Sequence, residues 1–228
     1  MRLFRETPKA LRAVCISVAS FVFAAALGTP ALAQLQVDIT SGTADPLPIA
    51  IPQFYGKTSQ EVDSGRNIAD LISTDLERSG LFRPIDRRAF IQRVSALQVQ
   101  PRFGDWRQIN AQFLVSGSAQ TQTDGRLKVE FRLWDVFGGT QMRGRRYFTT
   151  PQNWRRVAHI IADEIYKRIT GEDGYFDTRV VYISESGPAN RRIKRLSIMD
   201  QDGANHRFLT DGRDTALAPR FSPTAQEI

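Results

Sequence analysis

The tightest constraint on this chain lies between residues 178 and 223, where short apolar runs are punctuated by tight-turn residues. The run Arg179-Val180-Val181-Tyr182-Ile183-Ser184 leads to a Gly187-Pro188 turn. A second run over 192–199 is closed by Asp200-Gln201-Asp202-Gly203-Ala204-Asn205. His206-Arg207-Phe208-Leu209-Thr210 then meets another Asp-Gly pair, and the chain reaches Pro219-Arg220-Phe221-Ser222-Pro223. Short strands with turn signals at near-even spacing are the pattern of four-stranded blades that repeat roughly every 40–45 residues. Residues 178–223 fill about one such period, which predicts one blade and the start of a second.

The punctuating residues carry a more specific signal. Asp200, Asp202, Gly203, Asn205, Leu209 and Thr210 spell D-x-D-G-x-N-x-x-x-L-T, and Pro219, Phe221, Ser222 and Pro223 follow as P-x-F-S-P. This resembles the propeller repeat of the TolB family, periplasmic proteins of the bacterial Tol-Pal envelope system. Residues 70–84 (DLISTDLERSGLFRP), 103–117 (FGDWRQINAQFLVSG) and 174–187 extend the resemblance to the family's amino-terminal domain and its junction with the propeller. It covers essentially everything after residue 33. It departs from the family in that the remaining blades do not follow, and in that Thr224-Ala225 stands where the repeat usually turns on Asp-Gly.

The resemblance implies a non-enzymatic interaction protein with an α/β amino-terminal domain, a mixed sheet with helices on one side, followed by an all-β propeller. It implies a periplasmic protein that links the inner-membrane protein TolA to the peptidoglycan-associated lipoprotein Pal. Such a protein supports outer-membrane invagination at cell division and envelope integrity. It further implies that Pal docks on the propeller and that TolA meets the mature amino terminus, here Gln34, Leu35, Gln36, Val37, Asp38, Ile39 and Thr40. The alternative is the amino-terminal part of an exported hydrolase or peptidase gated by a propeller.

Residues 1–33 have the anatomy of a secretory signal. Arg2, Arg5, Lys9 and Arg12 form a basic start, 13–28 is apolar apart from two serines, and Ala31-Leu32-Ala33 is an A-x-A site. Cleavage between Ala33 and Gln34 is expected. The apolar run is shorter than the roughly 20 residues a spanning helix needs, so no transmembrane segment is expected after cleavage. Residues 1–33 hold four of the 31 basic and one of the 24 acidic groups, so cleavage leaves a net charge of +4 instead of +7. The basic balance is thus partly a property of the targeting segment, which weakens any case for nucleic acid. Cys15, in the apolar run and without a lipobox, is the single cysteine. The exported part therefore has neither disulfides nor thiol chemistry, and packing must supply its stability.

Residues 34–171 read as the α/β domain and 172–177 as a linker into the blade. Leu35, Val37 and Ile39 alternate with polar residues as a strand with one apolar face. A second strand is expected over 47–54, with Pro52 at its end or an edge. Thr58 and Glu61 fit a capping box, and Ile68, Leu71, Ile72 and Leu76 form a helical stripe stopped by Gly80. Residues 81–85 return to the sheet, Asp86 caps a short helix through Val94, and 98–103 reads as loop. Strands over 111–121, 126–136 and 140–149 are joined by Asp124-Gly125 and Gly138-Gly139, both hairpin dipeptides. In the middle strand Leu127, Val129, Phe131 and Leu133 share one face, so half of that sheet is expected to be wet. Pro151 opens a closing helix whose stripe is Trp154, Val157, Ala158, Ile161, Ile165 and Ile169, ended by Gly171.

Catalytic and metal motifs are sparse. His159 and His206 are far apart in sequence, and His159 reads as a solvated helical residue with Asp163 one turn on. Asp200-x-Asp202-Gly203-x-Asn205 has its glycine at position 4, whereas an EF-hand loop needs it at 6, so these side chains are expected to bond their own turn backbone. Gly56-Lys57-Thr58 lacks the first glycine of a phosphate loop. There is no G-x-S-x-G elbow, and Asp75 and Glu77 point to different sides of a helix. No catalytic, cofactor-binding or metal residue is expected. The basic clusters Arg143-Arg145-Arg146 and Arg191-Arg192-Lys194-Arg195 lack the interleaved aromatics of single-strand binders and read as solvated faces.

Overall fold

The structure is a computed structural model that describes residues 45–92, 97, 99–214, 217–225 and 227–228. All of them fall in the compact unit Gln36–Ile228. The signal segment, its cleavage site at Ala33–Gln34, the strand from Leu35 to Ile39 and the TolA segment Gln34–Thr40 lie outside the described residues. The short helix expected from Asp86 through Val94 is instead a 3₁₀ turn, Arg87–Ala89, capped by Asp86 and ended where Phe90 turns extended; Val94 itself lies outside the described residues.

The first sheet is five-stranded. Strand β1 (Leu47–Ala50) runs parallel to both β2 (Phe82–Pro84) and β3 (Phe113–Thr121); β4 (Leu127–Asp135) and β5 (Thr140–Thr149) add antiparallel, giving the order β2-β1-β3-β4-β5. The strand expected over 47–54 thus stops at Ala50, and Tyr55 rejoins the sheet only through a single bridge to Ser118. Helix α1 (Ser59–Arg78) is one element, joining the capping box and the apolar stripe that follows. Thr58 Oγ1 accepts from the Glu61 N–H, while Glu61 Oε2 accepts from the N–H groups of Thr58 and Lys57. Its other oxygen accepts from Thr121 N–H at 2.6 Å, which ties the helix start to the end of β3. Burial opposes the charge, but these backbone donors prevail and hold the Glu61 carboxyl below its ordinary value of 4.5. Gly65 lets the helix lie against the chain before it, because a Cβ there would sit 2.3 Å from the Phe54 carbonyl oxygen.

Helix α3 (Trp154–Thr170) packs beside α1 on the same face, preceded by a 3₁₀ turn at Pro151–Asn153 and ended by Gly171 at φ +84°. Leu127, Val129, Phe131 and Leu133 point into this layer with Val157, Ile161, Ile165 and Ile169, forming the main core. Fully burying each large side chain contributes about 1.5–3 kcal/mol, so the two helices clamp the sheet. The mixed sheet with its helices is the fold class expected. One addition is the short helix α2 (Phe103–Gln108), which begins at the last residue of the loop expected over 98–103. Its Trp106 joins Ala50, Leu114, Trp134 and Val136 in a second, smaller core. Leu114 alternates with Phe113 and Val115 of the main core, so this core lies on the other face of the sheet.

The second sheet is antiparallel, with order β6-β7-β8: β6 (Arg179–Ser186), β7 (Ile193–Asp200) and β8 (Arg207–Phe208). Beyond β8, Leu209 N–H donates to Leu196 O and Thr210 Oγ1 accepts from Leu196 N–H, which extends the pairing by a side chain. The segment expected as a linker is pinned. Phe176 is fully buried in the main core, Tyr175 and Phe176 both meet Tyr166 at 5.9 Å, and Asp163 accepts from the N–H groups of Phe176 and Asp177. Among the described residues no helix is long and apolar enough to cross a membrane.

Candidate functional site

The site grows from the turn between β7 and β8. Gly203 at φ +85° and Asn205 at φ +54° let the chain reverse where a β-branched residue would be strained. Inside the turn Gly203 N–H donates to Asp200 O, Asp202 Oδ1 accepts from Ala204 N–H at 3.0 Å, and Asn205 Nδ2 donates to Asp200 Oδ2 at 2.5 Å. The Asp202–Ala204 bond is the side-chain-to-backbone contact expected of the motif, whereas Asp200 and Asn205 bond each other's side chains. The same turn also presses against α1 and α3. Gln201 Nε2 donates to Asp75 Oδ1 at 3.2 Å, and Arg78 donates to Gln201 Oε1 at 3.0 Å. Arg155 of α3 pairs with Asp202 Oδ2.

His159 lies at the centre of this seam, and here the sequence expectation is corrected. The residue is only 2% exposed, not solvated. Its Nδ1 meets Asp75 Oδ2 at 2.6 Å and its Nε2 faces Asp202 Oδ2 at 3.7 Å. Asp163, the partner expected one turn away, instead accepts from the chain at Phe176 and Asp177, and burial raises its pKa. The reason is geometric: α3 is covered by the sheet on one side and by α1 and the turn on another, so a single apolar stripe understates its buried surface. Burial opposes a charge on His159, but the Asp75 hydrogen bond and the charges of Asp75 and Asp202 outweigh it, with Arg155 opposing, and its pKa lies above the ordinary 6.5. Burial likewise opposes ionisation of Asp202, yet Ala204 N–H, Arg155 and His159 keep its carboxyl below the usual range. Among the described residues His159 Nε2 and Arg155 Nε are buried atoms without a hydrogen-bond partner. A pocket of about 370 Å³ opens over the seam, lined by Arg155, Arg156, His159, Asp177, Asp200 and Arg207.

Of the motif residues, Asp200, Asp202, Gly203 and Asn205 share this turn, while Leu209 and Thr210 lie on the far side of β7. Pro219, Phe221, Ser222 and Pro223 form a separate loop, in which Ser222 Oγ accepts from the N–H groups of Thr224 and Ala225. Asp75 is buried and Glu77 exposed, on different sides of α1 as expected. Much of the basic surface is internally paired: Arg143 and Arg145 share Glu164, Arg146 meets Glu130, and Lys194 meets Glu185. His206 is exposed, between the rings of Tyr182 and Phe208. Sequence reasoning missed the Asp75–His159–Asp202 line because its members are 84 and 43 positions apart. One signal was present: Asp75 falls three residues after Ile72 and seven after Ile68, an acid within the apolar stripe of α1.

The comparisons agree with this architecture. A family model of the TolB amino-terminal domain matches residues 35–142, and one of the TolB beta propeller domain matches residues 166–228. A Tol-Pal system protein TolB from Paramagnetospirillum magneticum is 58% identical over 216 residues, covering 93% of this chain and 48% of that protein. The crystal structure of TolB from Acinetobacter baumannii matches with a TM-score of 0.63 at 26% identity, covering 82% of this chain and 44% of that one. The chain thus spans about half the length of the curated relative it matches. With residues 35–142 and 166–228 matched to the two domain models of one family and with this identity, the chain belongs to the TolB family.

Proposed function

We propose that this chain acts in the periplasm as a non-enzymatic interaction protein of the Tol-Pal system, linking TolA to Pal and so supporting outer-membrane invagination and envelope integrity. The observation that carries the reading is the 58% identity, over 93% of the chain, to a protein named for that system. In this reading TolA is met by Gln34–Thr40, whose alternation of Leu35, Val37 and Ile39 with polar residues suits addition to the edge of a partner's sheet. Pal is met by the propeller, to which the second sheet belongs.

The test is a pull-down of TolA and of Pal by the protein beginning at Gln34, beside its Val37→Pro variant. Proline removes a backbone donor from the strand. TolA capture is expected to fall in the variant while the thermal midpoint hardly moves. Unchanged TolA capture would remove the partner role from this segment, and failure to capture either partner, even with the full-length protein, would end the reading.

A further inference from the structure

We propose that His159, Asp200 and Asp202 form a binding site for a zinc-class divalent metal ion, placed across the seam between α3 and the first-blade turn. The three residues offer ligand atoms that all lie within 4.8 Å of one another. The argument begins with the tautomer. Asp75 is fully buried and lies 2.6 Å from His159 Nδ1, so that nitrogen carries the proton and donates it, as carboxylates do behind metal-bound histidines. In the neutral ring Nε2 is then left with a lone pair. It is buried, has no hydrogen-bond partner among the described residues, and is aimed at Asp202.

Asp202 Oδ2, which Arg155 already pairs, and His159 Nε2 face each other without a hydrogen bond. Their separation is 3.7 Å, too long for a direct hydrogen bond. Two ligands each about 2.0–2.1 Å from one zinc ion, at an angle of roughly 110–125°, stand ~3.4–3.6 Å apart. The His159–Asp202 gap is close to that spacing.

The turn also prepares its carboxylates. Ala204 N–H holds one oxygen of Asp202 and Asn205 Nδ2 holds one oxygen of Asp200, which fixes both groups and leaves an oxygen on each. Arg155 occupies one direction at Asp202 Oδ2, and a carboxylate oxygen has a second. The pocket reaches His159 and Asp200, so the fourth coordination position is open to water. One imidazole with two carboxylates suits zinc and its late first-row neighbours more than calcium or magnesium, which take oxygen alone. Bound there, the ion would staple the blade to the amino-terminal domain.

The test uses untagged full-length protein, stripped with chelator and titrated with zinc chloride by calorimetry. The expected result is one ion per chain, with His159→Gln and Asp202→Asn each weakening binding at least tenfold while circular dichroism shows both folded. X-ray absorption at the zinc edge of the unaltered complex gives a readout independent of any variant: one imidazole nitrogen with oxygen donors is expected. No stoichiometric binding, equal binding by the folded variants, or an all-oxygen shell would each overturn the site.

Discussion

The two sheets of this chain are held by different means. The five-stranded sheet is buried under α1 and α3, and its core residues Val129, Phe131 and Leu133 are fully buried. In the three-stranded sheet only Ser197 and Ile198 reach burial, while Val180, Ile193 and Phe208 stay exposed. What fastens the second sheet is a polar turn set into a seam: Asp202 against Arg155, Gln201 against Asp75 and Arg78, with Phe176 anchoring the approach. The difference follows from the kind of unit each is. An α/β layer encloses its own apolar face, whereas a repeat unit buries that face against its neighbours. Polar contacts contribute little net energy but fix where two bodies meet.

The largest effect that sharpens the contrast belongs to the first core. Phe131→Ala empties a fully buried site and is expected to cost about 3–5 kcal/mol in urea unfolding. Next comes the seam. Asp75→Ala leaves His159 buried without its partner and is expected to cost about 3 kcal/mol, with faster exchange in the turn at Asp200–Gly203. Loss of less than about 0.5 kcal/mol would mean that the seam does not hold. Phe176→Ala tests the approach: limited proteolysis is expected to spare 171–177 in the unaltered protein and to cut there in the variant.

Smaller effects lie at the ends of elements. Glu61→Gln is expected to cost about 1–2 kcal/mol, the worth of a charged acceptor shared among helix-start and strand N–H groups. Its pH dependence has a definite sign. The folded carboxyl lies below the ordinary 4.5, so its stabilisation is complete above that value and fades as pH falls through the folded one. The gap between the protein and the variant should therefore close in acid. Smallest is Phe208→Ala in the exposed sheet, where less than about 1 kcal/mol is expected from thermal unfolding. A loss as large as that of Phe131→Ala would erase the contrast altogether.

Local chemistry accounts for what was legible in the sequence. The capping box at Thr58, the hairpin glycines at 125 and 139 and the alternation from Leu127 to Leu133 each declare an element within a few residues, and β5 falls on the expected 140–149. Helix α2 was not legible because six residues burying one tryptophan leave no period to detect. The seam was hidden for another reason: Asp75, His159 and Asp202 come from three elements, and nothing along the chain brings them together before it folds. The D-x-D-G motif was read correctly as a turn, yet its second aspartate has two roles. One oxygen closes the turn and the other faces α3.

Native-state hydrogen exchange compares the two sheets most directly. Amides of Val129 and Phe131 in β4 are expected to exchange only through global unfolding, and those of β6 and β7 through a smaller opening of lower free energy. Asp202→Ala should accelerate exchange across 193–200 and leave β4 unchanged. Equal protection in both sheets, or no response of β7 to Asp202→Ala, would contradict the claim that a hydrophobic core holds one and a polar seam the other.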